Sequence, residues 1–511
     1  MIKFLKQISP LQRSTALIIF TIALVKIPIV IRDLVLTTYF GVSKSLDNYL
    51  YSMIVPMFFA GIISLSLNFF FIPAYLKIKT QSGTDHAKEY AHTFFIYLSA
   101  VLIMVALAIG VIIPGFIVKM NPVFFNSATH IEYFYHLSKW ASIFFLFYTL
   151  SSFFTSLLQA EHRYQMSLYP QILIPLSGII SVVLNYQSLG IASAIYGATL
   201  GSVFCFLIYY FYSLKAKLIN GIKGGIGSLK SHGDHSQFFI LIFALIIPSF
   251  IGLIDQQMAS LLGEGKLTTL AYGMRIPDGF SEIISSGLAI AVFSHFSQWH
   301  IENRHDLIIE ASQKLILLAT FFLIPLCAFM MLYAGPIISV IFKRGAFDQT
   351  ATLAVSQVLQ SYVFVFYLTV IATIAIRIIS SLGKFQFFIF LGLIIFVLKI
   401  TLNLLLMQKF NIVGIALAAI IMQVFNCYLL YGYLQKNGLP IFNQNFINLL
   451  FKAFVIVTVA IFVFSFIKIL ANDLIDMSQI LIGILALSSF WGMLLVLNKK
   501  YQMITLPIDK K

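Results

Sequence analysis

Fourteen long apolar segments follow one another along this chain of 511 residues. A helix that crosses a lipid bilayer needs about 20 mainly apolar residues, and every segment reaches that length. The sequence therefore predicts an all-α polytopic membrane protein with 14 transmembrane helices. The predicted spans are 14–39, 46–76, 92–117, 132–159, 168–187, 190–213, 237–262, 267–297, 306–334, 350–381, 385–408, 412–435, 446–471 and 477–498.

The composition excludes a water-soluble enzyme or nucleic-acid-binding domain. Hydrophobic residues make up 60% of the chain and charged residues only 10%, whereas soluble proteins carry roughly 25% charged residues. The net charge of +15 has a topological explanation, because cytoplasmic loops of membrane proteins retain lysine and arginine. Of the 33 lysines and arginines, 18 fall on one side of the predicted spans, 6 on the other and 9 within or at the edges of spans. We expect both termini in the cytoplasm of a bacterium, the chain in its cytoplasmic (inner) membrane, and no nucleic-acid partner.

The chain also matches itself at a shift of 221 residues. The pattern Tyr51-x-Met53-x-x-Pro56 recurs at residues 272–277, and Ile62-Ile63-Ser64 recurs at 283–285. With a small change of shift, Gly190-Ile191-Ala192 meets residues 414–416. Several ordered matches at nearly one shift indicate a duplication. They predict an N-terminal lobe of helices 1–6 (1–222), a C-terminal lobe of helices 7–12 (223–440) and a C-terminal helix pair with a tail (441–511).

Repeats with an even number of helices are related by an axis along the membrane normal, and a substrate path between such repeats is the default expectation. Prolines at equivalent positions of the repeat, Pro56 and Pro277, are predicted to kink their helices and to serve as hinges. Proline is also common in membrane helices that do not bend during function, so both interpretations remain open.

Predicted helix 1 carries three charged residues, Lys26, Arg32 and Asp33. A charge inside a membrane helix costs about 2.5–3.5 kcal/mol on insertion scales, so such residues are candidates for function. Lys26 and Asp33 are seven residues apart and share a helical face, with Arg32 beside it. Two cations suit an anionic ligand, and Asp33 partly neutralises them. The alternative is that Arg32 and Asp33 reach the outer membrane surface.

A second charged group lies on predicted helices 7 and 8. Asp255 is on helix 7, and Arg275, Asp278 and Glu282 follow on helix 8 at spacings of three and four residues. This spacing places the three residues of helix 8 on one side of the helix. We predict that Arg275 lines a polar cavity, with an intrahelical salt bridge as the alternative. No catalytic, nucleotide or metal-binding motif is recognised, so we expect no enzyme activity, no cofactor and no bound metal.

Several of these residues occur in a pattern that resembles the MurJ/MviN lipid II flippase family of the multidrug/oligosaccharidyl-lipid/polysaccharide (MOP) exporter superfamily. The resemblance covers nearly the whole chain. The segments that carry it are Arg32-Asp33, Tyr39-Phe40-Gly41, Asp47, Pro56 and Phe71-Ile72-Pro73 in the first half, and Asp255, Tyr272-Gly273-Met274-Arg275, Pro277 and the stretch 341–347 (IFKRGAF) in the second half.

The resemblance implies a flippase that carries an undecaprenyl-diphosphate-linked saccharide from the cytoplasmic to the outer leaflet by alternating access. It implies that Lys26, Arg32 and Arg275 bind the diphosphate, and that Asp33 and Asp47 occupy acidic family positions; Asp255, Asp278 and Glu282 complete a predicted acidic or ion-coupling set. Two features depart from the family. Its arginine-rich stretch on helix 2 is here Phe58-Phe59-Ala60, and an aspartate frequent near Gly383 is absent.

These departures favour a lipid-linked precursor of a surface polysaccharide, with the peptidoglycan precursor lipid II as the closest alternative. The expected partners are the polyprenyl-diphosphate-linked saccharide, membrane lipid and glycan-assembly proteins. Two other functions remain open: a cation-coupled multidrug antiporter of the same superfamily, which would use the acidic residues, and a membrane scaffold of a glycan-assembly complex that transports nothing.

Overall fold

Regular structure in this protein is entirely helical in the ranges that the computed structural model describes, which are residues 10–122, 124–219, 250–384 and 386–501. For residues 10–24, 286–294, 460 and 495–501, only the backbone is described. Helices satisfy their own backbone hydrogen bonds, which is the requirement for a segment surrounded by lipid. The predicted all-α membrane fold is confirmed.

The chain packs as two compact units, Met1–Leu267 and Thr268–Lys511. The helices of the first unit are α1 Pro10–Phe40, α2 Lys44–Ser66, α3 Ile72–Gln81, α4 Thr84–Leu107, α5 Ile113–Met120, α6 Ala128–Ala160, α7 Tyr164–Leu168, α8 Leu173–Leu189, α9 Ala192–Lys215 and α10 at 250–261. Short π-helical segments at Leu67–Phe71 and Ala108–Ile112 join α2 to α3 and α4 to α5, and a 3-10 segment at Tyr169–Ile172 joins α7 to α8.

Helix α11, Lys266–Ile301, starts at the end of the first unit and continues into the second. The helices that follow it are α12 His305–Leu332, α13 Ala334–Phe342, α14 Gln349–Tyr362, α15 Phe364–Ser381, α16 Gln386–Lys436, α17 Gln444–Leu470 and α18 Asp476–Tyr501.

Ten helices of the described ranges are long and apolar enough to cross a membrane. One of them, α16, is 51 residues long; its residues 386–408 belong to one predicted span and residues 412–435 to the next, and the two parts meet at Asn411. There the backbone leaves the helical conformation, with φ 55° and ψ −135°. The predicted spans 14–39, 237–262 and 267–297 include residues that the structure does not fully describe, so the count of fourteen stays a prediction.

The turns of the chain repeat at the spacing of the sequence duplication. Five residues with left-handed backbone in the first half have counterparts 220 to 222 residues later: Gly41 and Gly263, Gly83 and Asn303, His162 and Gly383, Gly190 and Asn411, and Lys217 and Gly438. Gly190 and Asn411 share φ 55°, with ψ −142° and −135°. The turn at Gly190 thus corresponds to the turn at Asn411. The sequence match instead aligned Gly190 with Gly414, three residues further along the chain.

A contact between helices is duplicated as well. The Ser64 hydroxyl on α2 donates to the Ser152 hydroxyl on α6 at 2.9 Å. In the second unit, the hydroxyls of Ser285 on α11 and Thr373 on α15 lie 3.3 Å apart. Both second-unit residues are 221 positions beyond their counterparts. The two halves therefore share helix-to-helix contacts as well as sequence.

Close approach of α8 and α9 depends on small residues. A Cβ atom at Gly201 would lie 2.7 Å from the Leu173 carbonyl oxygen and 2.0 Å from the Ser177 hydroxyl, and one at Gly197 would lie 2.5 Å from the Ser177 carbonyl oxygen. Helices in membranes gain much of their association energy from such close packing. These glycines fix the position of α8, the helix against which part of the candidate site lies.

Helix α10 belongs to the first unit in the folded chain, although the repeat assigns it to the second lobe. The Tyr51 hydroxyl donates to the Gln257 side-chain oxygen, and the Asn121 amide donates to the Ser260 hydroxyl at 2.7 Å. The predicted lobe boundary at residue 222 falls outside the described residues and stays a prediction. The first unit defined by packing thus contains one helix, α10, that the predicted N-terminal lobe does not.

Candidate functional site

Helix α1 carries three of the predicted charged residues, Lys26, Arg32 and Asp33. Arg32 is bound to its neighbour Asp33, with Nη2 and Nε at 2.8 and 3.2 Å from Oδ1. The Asp33 side chain is only 7% exposed, whereas the Arg32 side chain keeps 24% of its surface exposed. One carboxylate oxygen therefore orients the guanidinium, and the Arg32 side chain as a whole stays partly exposed.

Helix α8 supports Arg32 from the other side. A Cβ atom on Gly178 would lie 3.8 Å from Cδ of Arg32, so the aliphatic part of the arginine packs where α8 has no side chain. Lys26, the other predicted cation of α1, is half-buried six residues earlier. The structure thus gives Arg32 a defined position and shows Lys26 as partly accessible.

Besides Asp33, two predicted acidic residues of the first unit are buried. Asp47, in the first turn of α2, is fully buried and accepts a hydrogen bond from the backbone N–H of Gly265. Beside it, Lys44 forms a salt bridge of 2.6 Å with Glu264. These contacts tie the start of α2 to the turn between α10 and α11. Asp255, on α10, is 6% exposed. Their predicted part in ion coupling stays a prediction.

The charged residues of α11 lie on an uncovered side of that helix. Arg275, Asp278 and Glu282 are all exposed within their unit, while Pro277 between them is buried. The spacing along the sequence predicted this shared side. Asp278 also accepts a hydrogen bond of 2.9 Å from the hydroxyl of Tyr362 on α14, a partner 84 residues away that no local pattern indicated.

The predicted hinge prolines lie inside continuous helices. Pro56 is a buried residue within α2, and Pro277 is a buried residue within α11. The helical irregularities in the first unit occur elsewhere, as π-helical segments immediately before the helices that contain Pro73 and Pro114. A hinge function for Pro56 and Pro277 stays a prediction.

A polar cluster that the sequence did not indicate joins α3 to the turn after α6. The carboxylate of Glu161 accepts hydrogen bonds from the Tyr75 hydroxyl at 2.6 Å and the Lys79 ammonium at 2.7 Å. Burial acts to raise the pKa of Glu161, but the hydrogen bonds from Lys79 and Tyr75, together with the charges of Lys79 and Arg163, outweigh it and lower the pKa. Glu161 is therefore ionised at neutral pH and fixes the end of α3.

Metal-binding groups of three or more histidine, cysteine, aspartate or glutamate side chains are absent from the described residues. The cysteines Cys205, Cys327 and Cys427 are free thiols. The candidate cations are Lys26 and Arg32 in the first unit and Arg275 in the second, and their part in binding an anionic group stays a prediction.

Comparison with solved structures identifies the fold class. The chain matches the inward-facing conformation of a multidrug resistance MATE family transporter of the MOP superfamily with a TM-score of 0.63 and 14% identity, over 80% of this chain and 94% of that one. It matches a lipid II flippase MurJ in an inward closed conformation with a TM-score of 0.75 and 20% identity, over 94% of this chain and 98% of that one. The fold is therefore that of MOP-superfamily transporters.

Sequence comparison narrows the class to one family. The family model described as lipid II flippase MurJ matches residues 36–486. The probable lipid II flippase MurJ of Buchnera aphidicola is 21% identical to this chain, over 85% of this chain and 85% of its own length. The probable lipid II flippase MurJ of Rickettsia prowazekii is 22% identical to this chain, over 83% of this chain and 84% of its own length. The chain belongs to the lipid II flippase MurJ family, which confirms the resemblance found in the sequence and makes it a multi-pass membrane protein.

Proposed function

We propose that this protein flips an undecaprenyl-diphosphate-linked saccharide from the cytoplasmic to the outer leaflet of the bacterial inner membrane by alternating access. The observation that carries the proposal is Arg32. Its side chain lies on an apolar helix, is oriented by Asp33 and keeps part of its surface exposed. A charged side chain in a membrane helix raises the free energy of insertion, and binding of an anionic head group accounts for its presence.

The diphosphate requires several cations, and three are available in the proposed set: Lys26, Arg32 and Arg275. Guanidinium groups bind phosphate oxygens in pairs and remain charged under all physiological conditions. The exposed side of α11 supports a role for Arg275, and its neighbours Asp278 and Glu282 suit the coupling ion or the polar part of the saccharide. The prenyl chain needs no polar partner and stays in the lipid.

The substrate we favour is a precursor of a surface polysaccharide, with lipid II as the alternative. Where the family resemblance places arginines on helix 2, Phe58 contacts Phe59 and Phe250 with ring centroids 5.2 and 4.8 Å apart. This position packs α2 against α10 instead of binding an anion. Fewer cations for the head group favour a saccharide different from that of the family's named substrate.

Transport in proteoliposomes tests the proposal. Each of Arg32→Ala and Arg275→Ala removes a charged hydrogen-bond donor, and we expect roughly 10- to 100-fold slower flipping of a fluorescent lipid-linked saccharide. Lys314→Ala is the matched control, because Lys314, like Arg32, is a cation of an apolar helix paired with a carboxylate, here Glu310 at 2.6 Å, but it lies outside the proposed binding set. Undiminished flipping by the double variant Arg32→Ala/Arg275→Ala would refute the cationic site and favour a scaffold that does not transport.

Two further measurements separate the remaining alternatives. Growth of a strain depleted of its lipid II flippase, when this gene is supplied, would assign the peptidoglycan precursor as substrate. A multidrug antiporter would move a cationic dye in the same proteoliposomes and would depend on Asp278 and Glu282. We expect the wild-type protein to transport no dye.

A further inference from the structure

A cavity of about 160 Å³ lies inside the first unit among α2, α6, α8 and α9. Ten residues line it, and eight of them carry a hydroxyl or amide group, while none is charged. One lining residue, Asn68, is exposed, so the cavity has an opening. A polar cavity of this size holds several water molecules or one sugar ring. Its neutral lining sets it apart from the charged residues described above.

The cavity wall presents mainly hydrogen-bond acceptors. On α6, the hydroxyls of Ser151 and Thr155 donate to carbonyl oxygens of their own helix at 2.8 and 3.1 Å, and the Ser156 hydroxyl lies 3.1 Å both from such a carbonyl oxygen and from the side-chain oxygen of Asn68. Thr155 also accepts from the Gln171 amide at 3.4 Å. A hydroxyl that donates its only hydrogen within the protein keeps lone-pair capacity for other donors. Ser152 likewise donates to its own helix at 3.2 Å and accepts from Ser64. A ligand rich in O–H or N–H donors complements this wall.

The position of the cavity relates it to Arg32. Ile174, in the cavity wall, precedes Gly178 by one helical turn on the same side of α8, about 6 Å along the axis. Gly178 is the point at which the side chain of Arg32 packs on that helix. In a lipid-linked saccharide the first sugar is bonded directly to the diphosphate. A cation and a polyol-binding cavity one turn apart therefore match the order of groups in that ligand.

We propose that this cavity binds the first sugar of the lipid-linked saccharide while Arg32 binds the adjoining diphosphate. The inference rests on the proposed function, since it assumes that a lipid-linked saccharide is the ligand. The wall has no cation, so the cavity is not a second phosphate site. It also has no carboxylate to offset the cost of dehydrating a metal ion, which favours a neutral polyol over sodium.

Binding of two ligands that differ only in the sugar tests the proposal. The full-length protein in lipid nanodiscs is titrated with undecaprenyl diphosphate and with undecaprenyl diphosphate carrying one N-acetylhexosamine. Ser152→Leu fills the cavity, and we expect at least tenfold weaker binding of the sugar-bearing lipid with unchanged binding of the sugar-free lipid. Ser152→Ala keeps the space and the fold but removes one hydroxyl, for which we expect a roughly 3- to 10-fold weaker interaction with the sugar-bearing lipid alone.

The second unit supplies a matched control. Thr373 occupies the position equivalent to Ser152 and makes the equivalent hydroxyl contact, and we expect Thr373→Ala to leave the binding of both lipids unchanged. Equal binding of the sugar-bearing lipid by wild type, Ser152→Ala and Ser152→Leu would overturn the inference, as would a loss that is the same for both lipids or that appears only in sodium buffer. Failure of the proposed function is a different result: Arg32→Ala would then bind both lipids as wild type does.

Discussion

Acidic residues in this protein divide by burial into two groups with different surroundings. Asp47 and Asp255 are buried in the first unit, and Asp47 has a backbone N–H as its partner. Asp278 and Glu282 are exposed on α11. A buried carboxylate that accepts a backbone N–H contributes to stability, whereas an exposed carboxylate on a membrane helix is a candidate for ligand or ion binding. The buried contact of Asp47 therefore favours a structural role, while its part in ion coupling stays a prediction.

Substitution of Asp47 distinguishes a structural part from ion coupling. Asp47→Ala leaves the buried N–H of Gly265 without an acceptor, and we expect a loss of about 1–3 kcal/mol of stability, measured as a lower thermal unfolding temperature in detergent. Asp47→Asn keeps an acceptor oxygen of the same size, so we expect near-normal stability and transport. Loss of transport in a stably folded Asp47→Asn protein would show instead that the charge itself is required.

Prediction of individual site residues from the sequence succeeded where the partners are close along the chain. The spacing of Arg275, Asp278 and Glu282 gave their common side of α11, and Arg32 is paired with the next residue. It failed for contacts between distant segments, such as Tyr362 with Asp278. Serine and threonine are common in membrane helices and satisfy their own helix, so no sequence pattern marks those that line a cavity.

At the scale of helices, the most informative positions are those where two helices touch through glycine. Gly201 on α9 faces backbone atoms of α8, at 2.7 and 2.8 Å from a Cβ placed there. Backbone atoms cannot rotate away as a flexible side chain does, so a methyl group there separates the two helices. The same helix α8 supports Arg32, and its displacement reaches the candidate site.

Alanine substitutions at two glycines test this packing. We expect Gly201→Ala to cost roughly 1–3 kcal/mol through overpacking and to slow transport, because α8 moves away from Arg32. Gly61→Ala on α2 is the control: a Cβ at Gly61 meets nothing within 4 Å, and alanine favours helix, so stability should be unchanged or slightly higher. Thermal unfolding of the purified proteins measures both. Equal stability of the two variants would contradict the close approach.

For the whole molecule, the distribution of charge makes a prediction about topology. The excess of lysine and arginine on one side of the predicted spans predicts that both termini lie in the cytoplasm. Fusions of a reporter that is active only in the cytoplasm should therefore be active at either end of the chain, and a periplasmic reporter inactive at both. Activity of the periplasmic reporter at one terminus would require an odd number of spans.

Much of the architecture was predictable because each segment that crosses lipid must be an apolar helix of about 20 residues. Hydropathy located the helices, including the division of α16 between the predicted spans 385–408 and 412–435. The sequence match did not locate the corresponding turn, because it aligned Gly190 with residue 414 and not with Asn411. Packing preferences between helices were not predictable. The assignment of α10 to the first unit depends on pairs such as Tyr51 with Gln257 and Asn121 with Ser260, which lie 206 and 139 residues apart.

The place of α10 has a consequence for dividing the chain. The repeat assigns α10 to the second half, yet this helix packs in the first unit. A chain cut between residues 220 and 249 would yield one fragment that lacks this packing partner and another that carries an apolar helix without its contacts to Tyr51 and Asn121. We therefore expect halves divided at the repeat boundary to fold less well than the whole chain.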